Sequence, residues 1–320
     1  MHPIPQKGCG HMLTVYKTID NKLTVLEKPE KGCWISVVEP TAEEISYLRD
    51  TLGILPEFIR SALDEEETAH VDAEPDENQT LIMFDASVED STIDTVSFTT
   101  MPLGVIFTEP YIVTIAQRRH LVLEEMAAGM MRGLQTNMKT RFFLRMMMRV
   151  TSGFLSHLRR IDKLSSMTEQ ELHRSMRNQE LLQLMGLQKS LVYFSSSLKA
   201  NDAIFQRVSR GKLIKMYEED EDLMEDLLIE MRQAIEMCSI YTGVLASTQD
   251  AVASIISNNL NIVMKVMTAA SIILTIPTMV FSFYGMNTPL PMPNAWFPLL
   301  LAALLTSVTI IILIKRGMFR

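Results

Sequence analysis

The chain has few cysteines and none of the short motifs by which many enzymes are recognised. Its 320 residues include 3 cysteines, Cys9, Cys33 and Cys238. An odd number at such wide spacing argues against a disulfide framework or a zinc knuckle, and reduced thiols in a cytoplasm fit best. The sequence contains no glycine-rich phosphate loop, no nucleophile elbow and no metalloprotease helix motif. It therefore predicts neither an enzyme nor a nucleotide-binding protein.

The chain also lacks an excess of basic residues and a signal peptide. Lys and Arg number 30 against 38 Asp and Glu, a net charge of -8, which argues against nucleic acid as the main partner. Residues 1–13, MHPIPQKGCGHML, have no apolar core of the kind that signal peptides carry, and His2, Cys9 and His11 lack the further ligands of a metal site. We expect a disordered tail, and an N-terminal part that stays in the compartment where it is made.

Charge is absent altogether from two long runs near the end of the sequence. Residues 266–283 read VMTAASIILTIPTMVFSF, and residues 296–314 read WFPLLLAALLTSVTIIILI. At about 18 and 19 residues, each run is long enough to cross the hydrocarbon core of a bilayer. Their composition indicates apolar residues all round, without the polar stripe that a core helix of a soluble protein keeps. The sequence therefore predicts two transmembrane helices.

Basic residues at the ends of the two runs set their orientation. Lys265 precedes the first run, Lys315 and Arg316 follow the second, and the loop between them has no charge. By the positive-inside rule, the protein is a multi-pass protein of the cell membrane with both termini in the cytoplasm. Tyr284 and Trp296 lie at the outer boundary, where aromatic rings anchor in the lipid headgroups.

The first 120 or so residues alternate between strand-like and helical segments. The strand-like segments are HMLTVYKTI, KLTVLE, CWISVV, TLIMFDASV, TVSFTTMPLGVIFT and YIVTIAQ. The helical segment TAEEISYLRDTLG begins with Thr41 as N-cap, and Glu44 completes a capping box. Residues 64–77, DEEETAHVDAEPDE, indicate a solvated loop and helix end, with a divalent-cation site as the alternative. An α/β or α+β domain, a sheet flanked by helices, is predicted.

The middle of the chain has a helical pattern. Residues 141–164 and 169–198 predict two long amphipathic helices, with Gly211 as a break after the second. A third helix then leads straight into the first apolar run, which would make it on the order of 95 Å long. Its apolar positions recur at steps of three and four, at Leu223, Leu227, Met231, Ala234, Cys238, Tyr241, Leu245, Thr248, Val252, Ile255, Asn259 and Ile262. Such a helix must pack against the two helices before it, against copies of itself, or both.

These patterns divide the chain into six segments. They are a cytoplasmic α/β domain (1–135), amphipathic helices that pack on a stalk (136–215), a stalk helix continuous with the first transmembrane helix (216–283), an extracytoplasmic loop (284–295), the second transmembrane helix (296–314) and a basic cytoplasmic tail (315–320).

The sequence YGMN, at the outer end of the first of two C-terminal spans, resembles the signature of the CorA family of magnesium transporters. NNLNIVMKVMT, just before that span, is similar to the junction between stalk and membrane in the same family. The resemblance covers the whole plan of the chain, from the α/β domain to the basic tail. It implies a homopentameric channel, embedded in membrane lipid, whose central pore is lined by the first span.

The resemblance also implies roles for particular residues. Those of the ion path are Gly285, Met286 and Asn287 as the outer selectivity filter, Asn261, Met264 and Met267 as pore-lining residues, and Asp250 as an acidic ring in the stalk. Those of an intracellular Mg²⁺ sensor are Asp226, with Asp85, Glu89 and Asp90 of a neighbouring subunit as candidate partners. The outer loop of this chain departs from the family because it carries no acidic residue.

Divalent-cation transport is therefore the expected function, with Mg²⁺ as both substrate and regulatory ligand and with Co²⁺ or Ni²⁺ also admitted. Two alternatives remain open. Zinc-transporting relatives share the Gly-Met-Asn signature and the two-span topology, so Zn²⁺ could be the substrate. A membrane-anchored scaffold or sensor that conducts nothing would explain the spans and the stalk, but not YGMN.

Overall fold

The computed structural model describes residues 13–90, 96–131, 133–175, 178–210, 213–286, 294 and 296–318, although not the side chains of 173–175. The chain divides into two compact units, Met1–Ala246 and Ser247–Arg320. The first contains a sheet and the helices around it, and the second consists of apolar helical segments.

A seven-stranded sheet forms the centre of the first unit. Its strands are β1 (Leu13–Ile19), β2 (Lys22–Leu26), β3 (Cys33–Val38), β4 (His70–Glu74), β5 (Gln79–Asp90), β6 (Ser97–Phe107) and β7 (Tyr111–Ala116). Their order across the sheet is β2-β1-β3-β7-β6-β5-β4, and the β3–β7 pair is parallel whereas the others are antiparallel. The six strand-like segments of the sequence are thus all strands.

Three short helices accompany the sheet: α1 (Ala42–Asp50), α2 (Pro56–Ala62) and α3 (Leu121–Ala127). The predicted capping box at the start of α1 is confirmed. Thr41 Oγ1 accepts from Glu44 N at 3.3 Å, and Glu44 Oε2 accepts from Thr41 N at 2.8 Å. Glu44 Oε1 also accepts from Leu13 N at 2.9 Å, so the same carboxylate ties the helix start to β1. Apolar side chains of α1 and α2 complete the core on this face of the sheet.

The acidic stretch 64–77 differs from its prediction as a loop and helix end. Residues His70–Glu74 are a strand, β4, which pairs with β5 at the edge of the sheet. An edge strand exposes one side to water, so it tolerates the charged residues that suggested a loop. In the described part of the chain, no group of three or more His, Cys, Asp or Glu residues is arranged to hold a metal ion.

Four long helices follow: α4 (Lys139–Ser175), α5 (Asn178–Ser209), α6 (Glu218–Tyr284) and α7 (Trp296–Lys315). The two helices predicted over 141–164 and 169–198 are present as α4 and α5, but the first is longer than predicted and continues through 165–168 to Ser175. Within it, the hydroxyl of Thr168 donates to the carbonyl of Leu164 at 2.8 Å, as a threonine inside a helix does. Gly211 lies outside the described residues.

The predicted apolar seam of α6 is buried along its first half, at Leu227, Met231, Ala234, Cys238 and Leu245. Contacts to the two preceding helices fix this part of α6. Arg141 of α4 donates to the buried Asp220 at 2.9 Å, and Cys238 Sγ lies 3.4 Å from the carbonyl of Leu191 on α5. Farther along, Asn259 and Ile262 are exposed in the single chain.

A substitution at Gly104, on β6, tests how closely α2 packs on the sheet. A Cβ at this position would lie 2.7 Å from Ala62 Cβ and 3.0 Å from Met83 Sδ. We expect Gly104→Ala to lower the free energy of unfolding by about 1–3 kcal/mol, because the strand and helix must separate. Gly153→Ala in α4 is the control, since its Cβ would be 3.5 Å from the nearest atom. Thermal unfolding of the full chain in detergent measures both, and equal melting temperatures would contradict the expectation.

Candidate functional site

The candidate filter begins where α6 ends. The helix ends at Tyr284, and Gly285 N donates to the carbonyl of Phe281 at 2.9 Å. A Cβ on Gly285 would lie 3.2 Å from that carbonyl oxygen, which is closer than most Cβ atoms come to another atom. Glycine has no Cβ and therefore suits this turn. Met286 follows and is exposed. Asn287, the third residue of the candidate filter, lies outside the described residues.

The second unit contains the two predicted spans, and both are helices long and apolar enough to cross a membrane. Only 11% of the most apolar window of each helix is buried in the single chain, so most of this apolar surface needs lipid or another protein chain. Tyr284 and Phe297 place the end of α6 beside the start of α7, with 6.1 Å between ring centroids. Trp296 is 77% exposed at this end, and Lys315 and Arg316 are exposed at the other end of α7.

Within the two apolar runs, 266–283 and 296–314, the buried positions lie along one line on each helix. They are Ala269 and Val280 on α6, and Ala302 and Leu313 on α7. Each pair is separated by three turns, so its two members share a face of their helix. The line through Ala269 and Val280 is therefore the face of α6 that is covered within the chain.

The candidate pore-lining residues of α6 are all exposed, but they do not all share one face. Asp250 and Asn261 are separated by about 20° around the helix axis, at 3.6 residues per turn. Met264 lies about 60° from Asn261, on the neighbouring row, whereas Met267 lies about 120° from it. Asp250, Asn261 and Met264 therefore lie within about 60° of one another, and Met267 lies about 60° beyond Met264.

The candidate sensor residues on β5 are bonded within the chain. Asp85, Ser87 and Glu89 alternate along the strand and face α4 and α5. Ser197 donates to Asp85 Oδ2 at 2.5 Å, His157 Nδ1 lies 2.9 Å from Ser87 Oγ, and Arg160 contacts Glu89 Oε2 at 2.5 Å.

Asp85 carries an unusual carboxyl in this cluster. Burial raises its pKa, and the hydrogen bond from Ser197 offsets only part of that effect. The side-chain amide of Asn201 bonds to the backbone of Asp85. Its Oδ1 accepts from Asp85 N at 3.0 Å, and its Nδ2 donates to Asp85 O at 2.8 Å. Asp85 is therefore part of the contact between the sheet and α5.

The other two sensor candidates lie in more open positions. Asp90 is the last residue of β5 and is partly exposed. Asp226 is exposed on α6, one turn before Glu230, whose pKa is raised by burial and by the charge of Asp226. Asp226 and Glu230 therefore form a pair of like charges that a cation would stabilise.

Sequence reasoning missed the partners of β5, namely Ser197, Asn201, His157 and Arg160. They lie 70 or more positions from their partners along the chain and on two different helices. No motif signals such pairing, because it depends on which helix faces meet the sheet.

Comparison with known proteins assigns the chain to a family. The profile of the CorA-like Mg²⁺ transporter proteins matches residues 29–316, which include strands β3 to β7 of the sheet and all four long helices, α4 to α7. The chain belongs to the CorA family. This confirms the resemblance drawn from YGMN and from the order of the segments.

Individual relatives agree with this assignment. The cobalt/magnesium transport protein CorA of Methanocaldococcus jannaschii is 28% identical over 301 residues, which is 88% of this chain and 89% of that protein. The complete structure of the CorA magnesium transporter from the same organism matches with a TM-score of 0.79 and 24% identity, covering 95% and 96% of the two chains. The cytoplasmic domain of ZntB from Vibrio parahaemolyticus matches with a TM-score of 0.62 and 10% identity, over 78% of this chain and 99% of that one. These structures share the fold of a sheet-and-helix domain, and the complete CorA also shares the long helix and the C-terminal apolar helix.

The raised pKa of Asp85 is tested by measuring the melting temperature as a function of pH. Because its folded-state pKa is raised, ionisation of Asp85 lowers stability above that pKa, and the effect is absent well below the ordinary carboxyl value of about 3.9. Asp85→Asn keeps an oxygen that accepts from Ser197 but removes the charge. We expect this variant to melt at a higher temperature than the unmodified protein at pH 8, and the difference to disappear towards pH 3. Asp76→Asn, at an exposed turn, is the control. A melting temperature below that of the unmodified protein at pH 8 would contradict this account.

Proposed function

We propose that the chain carries divalent metal cations across a membrane, with Mg²⁺ as its main substrate and with Co²⁺ and Ni²⁺ also admitted. The observation that carries the proposal is the family match over residues 29–316, which includes both apolar helices and Gly285 and Met286 between them. The Methanocaldococcus relative, a cobalt/magnesium transport protein, supports the same class of substrate. In this proposal the chain keeps the six segments defined by its sequence, and both termini are cytoplasmic.

Conduction requires several copies of the chain. Two helices cannot enclose a polar path, and hydrocarbon does not solvate a cation. A symmetric ring would place the same face of α6 from each copy around one axis, and a homopentamer is the assembly that we propose. The face with Asp250, Asn261 and Met264 is suited to that position because it is exposed and carries a carboxylate and an amide. Met267 lies at the edge of that face, about 60° from Met264.

The filter residues fit an ion that keeps its water. Mg²⁺ prefers six oxygens in octahedral geometry and loses water reluctantly. A ring of Asn287 amides with nearby backbone carbonyls offers neutral oxygens that accept hydrogen bonds from this water shell. Neutral oxygens bind less tightly than carboxylates would, so the ion can leave again. An inside-negative membrane drives uptake, since two charges gain roughly 4.6 kcal/mol per 100 mV.

We propose that internal Mg²⁺ regulates transport by binding to Asp226, together with Asp90, Glu89 or Asp85 of a neighbouring copy. The like-charge pair of Asp226 and Glu230 supports this, because a bound cation would relieve the repulsion. At high internal Mg²⁺ the bridged carboxylates would hold the stalk closed, and at low Mg²⁺ repulsion would loosen it. As metal ligands, Glu89 would have to give up Arg160, and Asp85 would have to give up Ser197.

Mg²⁺ flux into liposomes tests the transport function and the filter together. We expect Mg²⁺ entry to increase with an inside-negative potential, and Asn287→Ala to lower it on the order of tenfold, because the variant lacks the amide oxygen. Asn294→Ala, which removes an exposed amide in the same connecting segment, should leave the flux unchanged. Undiminished flux in Asn287→Ala would contradict the filter role.

The same liposomes separate the two alternative functions. Flux of Zn²⁺ well above that of Mg²⁺ would show a zinc transporter. A chain that is a monomer or dimer in mild detergent and carries neither ion would show a scaffold or sensor.

The regulatory proposal predicts a loss of Mg²⁺ stabilisation in Asp226→Asn. Mg²⁺ should raise the melting temperature of the assembled protein, because a ligand that binds only the folded state stabilises it. In Asp226→Asn we expect this increase to fall below about half. Asp222→Asn, one turn earlier on α6 and also exposed, is the control and should keep the full increase. Equal increases in both variants would contradict a metal site at Asp226.

A further inference from the structure

The first turn of α4 bonds to two other parts of the first unit. On one side, Lys139 Nζ donates to the carbonyls of Thr108 and Glu109, at 2.6 and 2.9 Å, at the turn between β6 and β7. On the other side, Thr140 Oγ1 donates to the carbonyl of Lys215 at 2.7 Å, in the segment between α5 and α6. The sheet and the segment that leads into α6 are therefore both attached to α4 at the same turn.

Arg141, the next residue of α4, bonds to the start of α6 itself. Its Nε donates to Asp220 Oδ1 at 2.9 Å, and its Nη2 donates to Glu219 Oε2 at 2.8 Å. Asp220 is only 2% exposed, whereas the side chain of Glu219 is 78% exposed. A buried carboxylate without its arginine would be an unpaired charge, so the pair with Asp220 is the one that fixes the helix start. We call the contact between Arg141 and Asp220 the clasp.

Open space lies beside the clasp. A cavity of about 1370 Å³ is lined by the turns between β4 and β5 and between β6 and β7, by the start of α4 and by the segment before α6. Arg141, Glu219 and Asp220 also line it. Space of this size admits water, so the two charges of the clasp can separate without leaving a void. Arg141 would keep Glu219 as an acceptor, so the clasp has a closed and an open arrangement.

The clasp joins the two places at which we propose that internal Mg²⁺ binds. Asp226 follows Asp220 on the same helix by six residues, about 9 Å along the axis. The other proposed ligands are on β5, which pairs from Thr80 to Asp90 with β6, the strand that leads into the turn held by Lys139. Rigid elements bonded in this order transmit small displacements from the sheet to α6.

We propose that the clasp ties adjacent stalk helices together when internal Mg²⁺ is bound. Under the proposed regulation, a cation joins Asp226 of one copy to β5 of a neighbouring copy. The clasp then joins the sheet of that neighbour, through α4, to the neighbour's own α6. With the clasp open, the cation would restrain the sheets but no longer the stalk helices.

The inference rests on the proposed regulation and adds the residues through which it acts. Arg141 and Asp220 are positioning residues, which bind no metal themselves. Their substitution should therefore change the response to internal Mg²⁺ and leave the flux in its absence unchanged.

Substitution of Asp220 tests the clasp, because Asp220→Asn keeps the shape of the side chain and removes its charge. Arg141→Lys is the second variant, since lysine keeps a charge beside Asp220 but cannot bond to Asp220 and Glu219 together. The matched control is Glu65→Gln, which removes the charge from a pair with Arg118 at 2.7 Å, whose two members are both exposed. Each full-length variant is reconstituted in liposomes, where Mg²⁺ flux is measured against the internal Mg²⁺ concentration, and its assembly size is measured in detergent.

We expect Asp220→Asn to keep the assembly size and to need on the order of fivefold more internal Mg²⁺ for half-inhibition of the flux, because the bound cation then acts on the sheets alone. Arg141→Lys should shift half-inhibition in the same direction by a smaller factor. Glu65→Gln should leave it unchanged.

An unchanged half-inhibiting concentration in both clasp variants would overturn the inference and leave the regulation standing. If Asp220→Asn does not assemble, Arg141→Lys decides by the same criterion. An equal shift in Glu65→Gln would also overturn the inference, since any lost ion pair would then have this effect. Flux in the unmodified protein that internal Mg²⁺ does not inhibit would overturn the regulation and the clasp with it, and absence of flux would overturn the transport function itself.

Discussion

Hydrocarbon offers no hydrogen bonds, and every polar group that α6 carries into the membrane must be satisfied by something other than lipid. The helix satisfies its own backbone along the span except at Pro277, which cannot donate to the carbonyl of Ile273. Thr275 and Thr278 bond to the carbonyls of Ser271 and Leu274, on either side of that position. A cation that crosses the membrane cannot be satisfied in this way. It requires water or oxygen ligands from several copies of the chain, so the same constraint leads from a single helix to the proposed assembly.

The first unit, Met1–Ala246, meets a different constraint, because two long helices must be held on its sheet. One face of β5 carries polar groups where an apolar row would be usual, and each of them meets a partner on α4 or α5. A buried polar contact of this kind is stable only when all its members are paired, so it fixes how the helices sit on the sheet. The cost is visible at Asp85, whose pKa is raised by burial. Because Asp85 bonds to α5 through Ser197, it is a less suitable metal ligand than the exposed Asp226.

Much of the fold could be predicted because its signals are local. β-Branched runs, the Thr41–Glu44 capping box and two uncharged stretches each act over a few neighbouring residues, and all of them appear as predicted. The misses arise where tertiary context overrides local preference. β4 was hidden by its charge, which the edge of a sheet tolerates, and α4 extends to Ser175, beyond the end predicted from the sequence.

For the site, the sequence by itself determined the family, through YGMN between two terminal spans, and the positions of the carboxylates and amides along α6. Helical spacing then shows that Asp250, Asn261 and Met264 share a side. Only the tertiary structure decided which of the candidate carboxylates are already bonded and which face of α6 the chain covers itself. Both depend on contacts between residues far apart in sequence, and these arise only when the helices pack. The pairing of Ser197 with Asp85 follows from that packing alone.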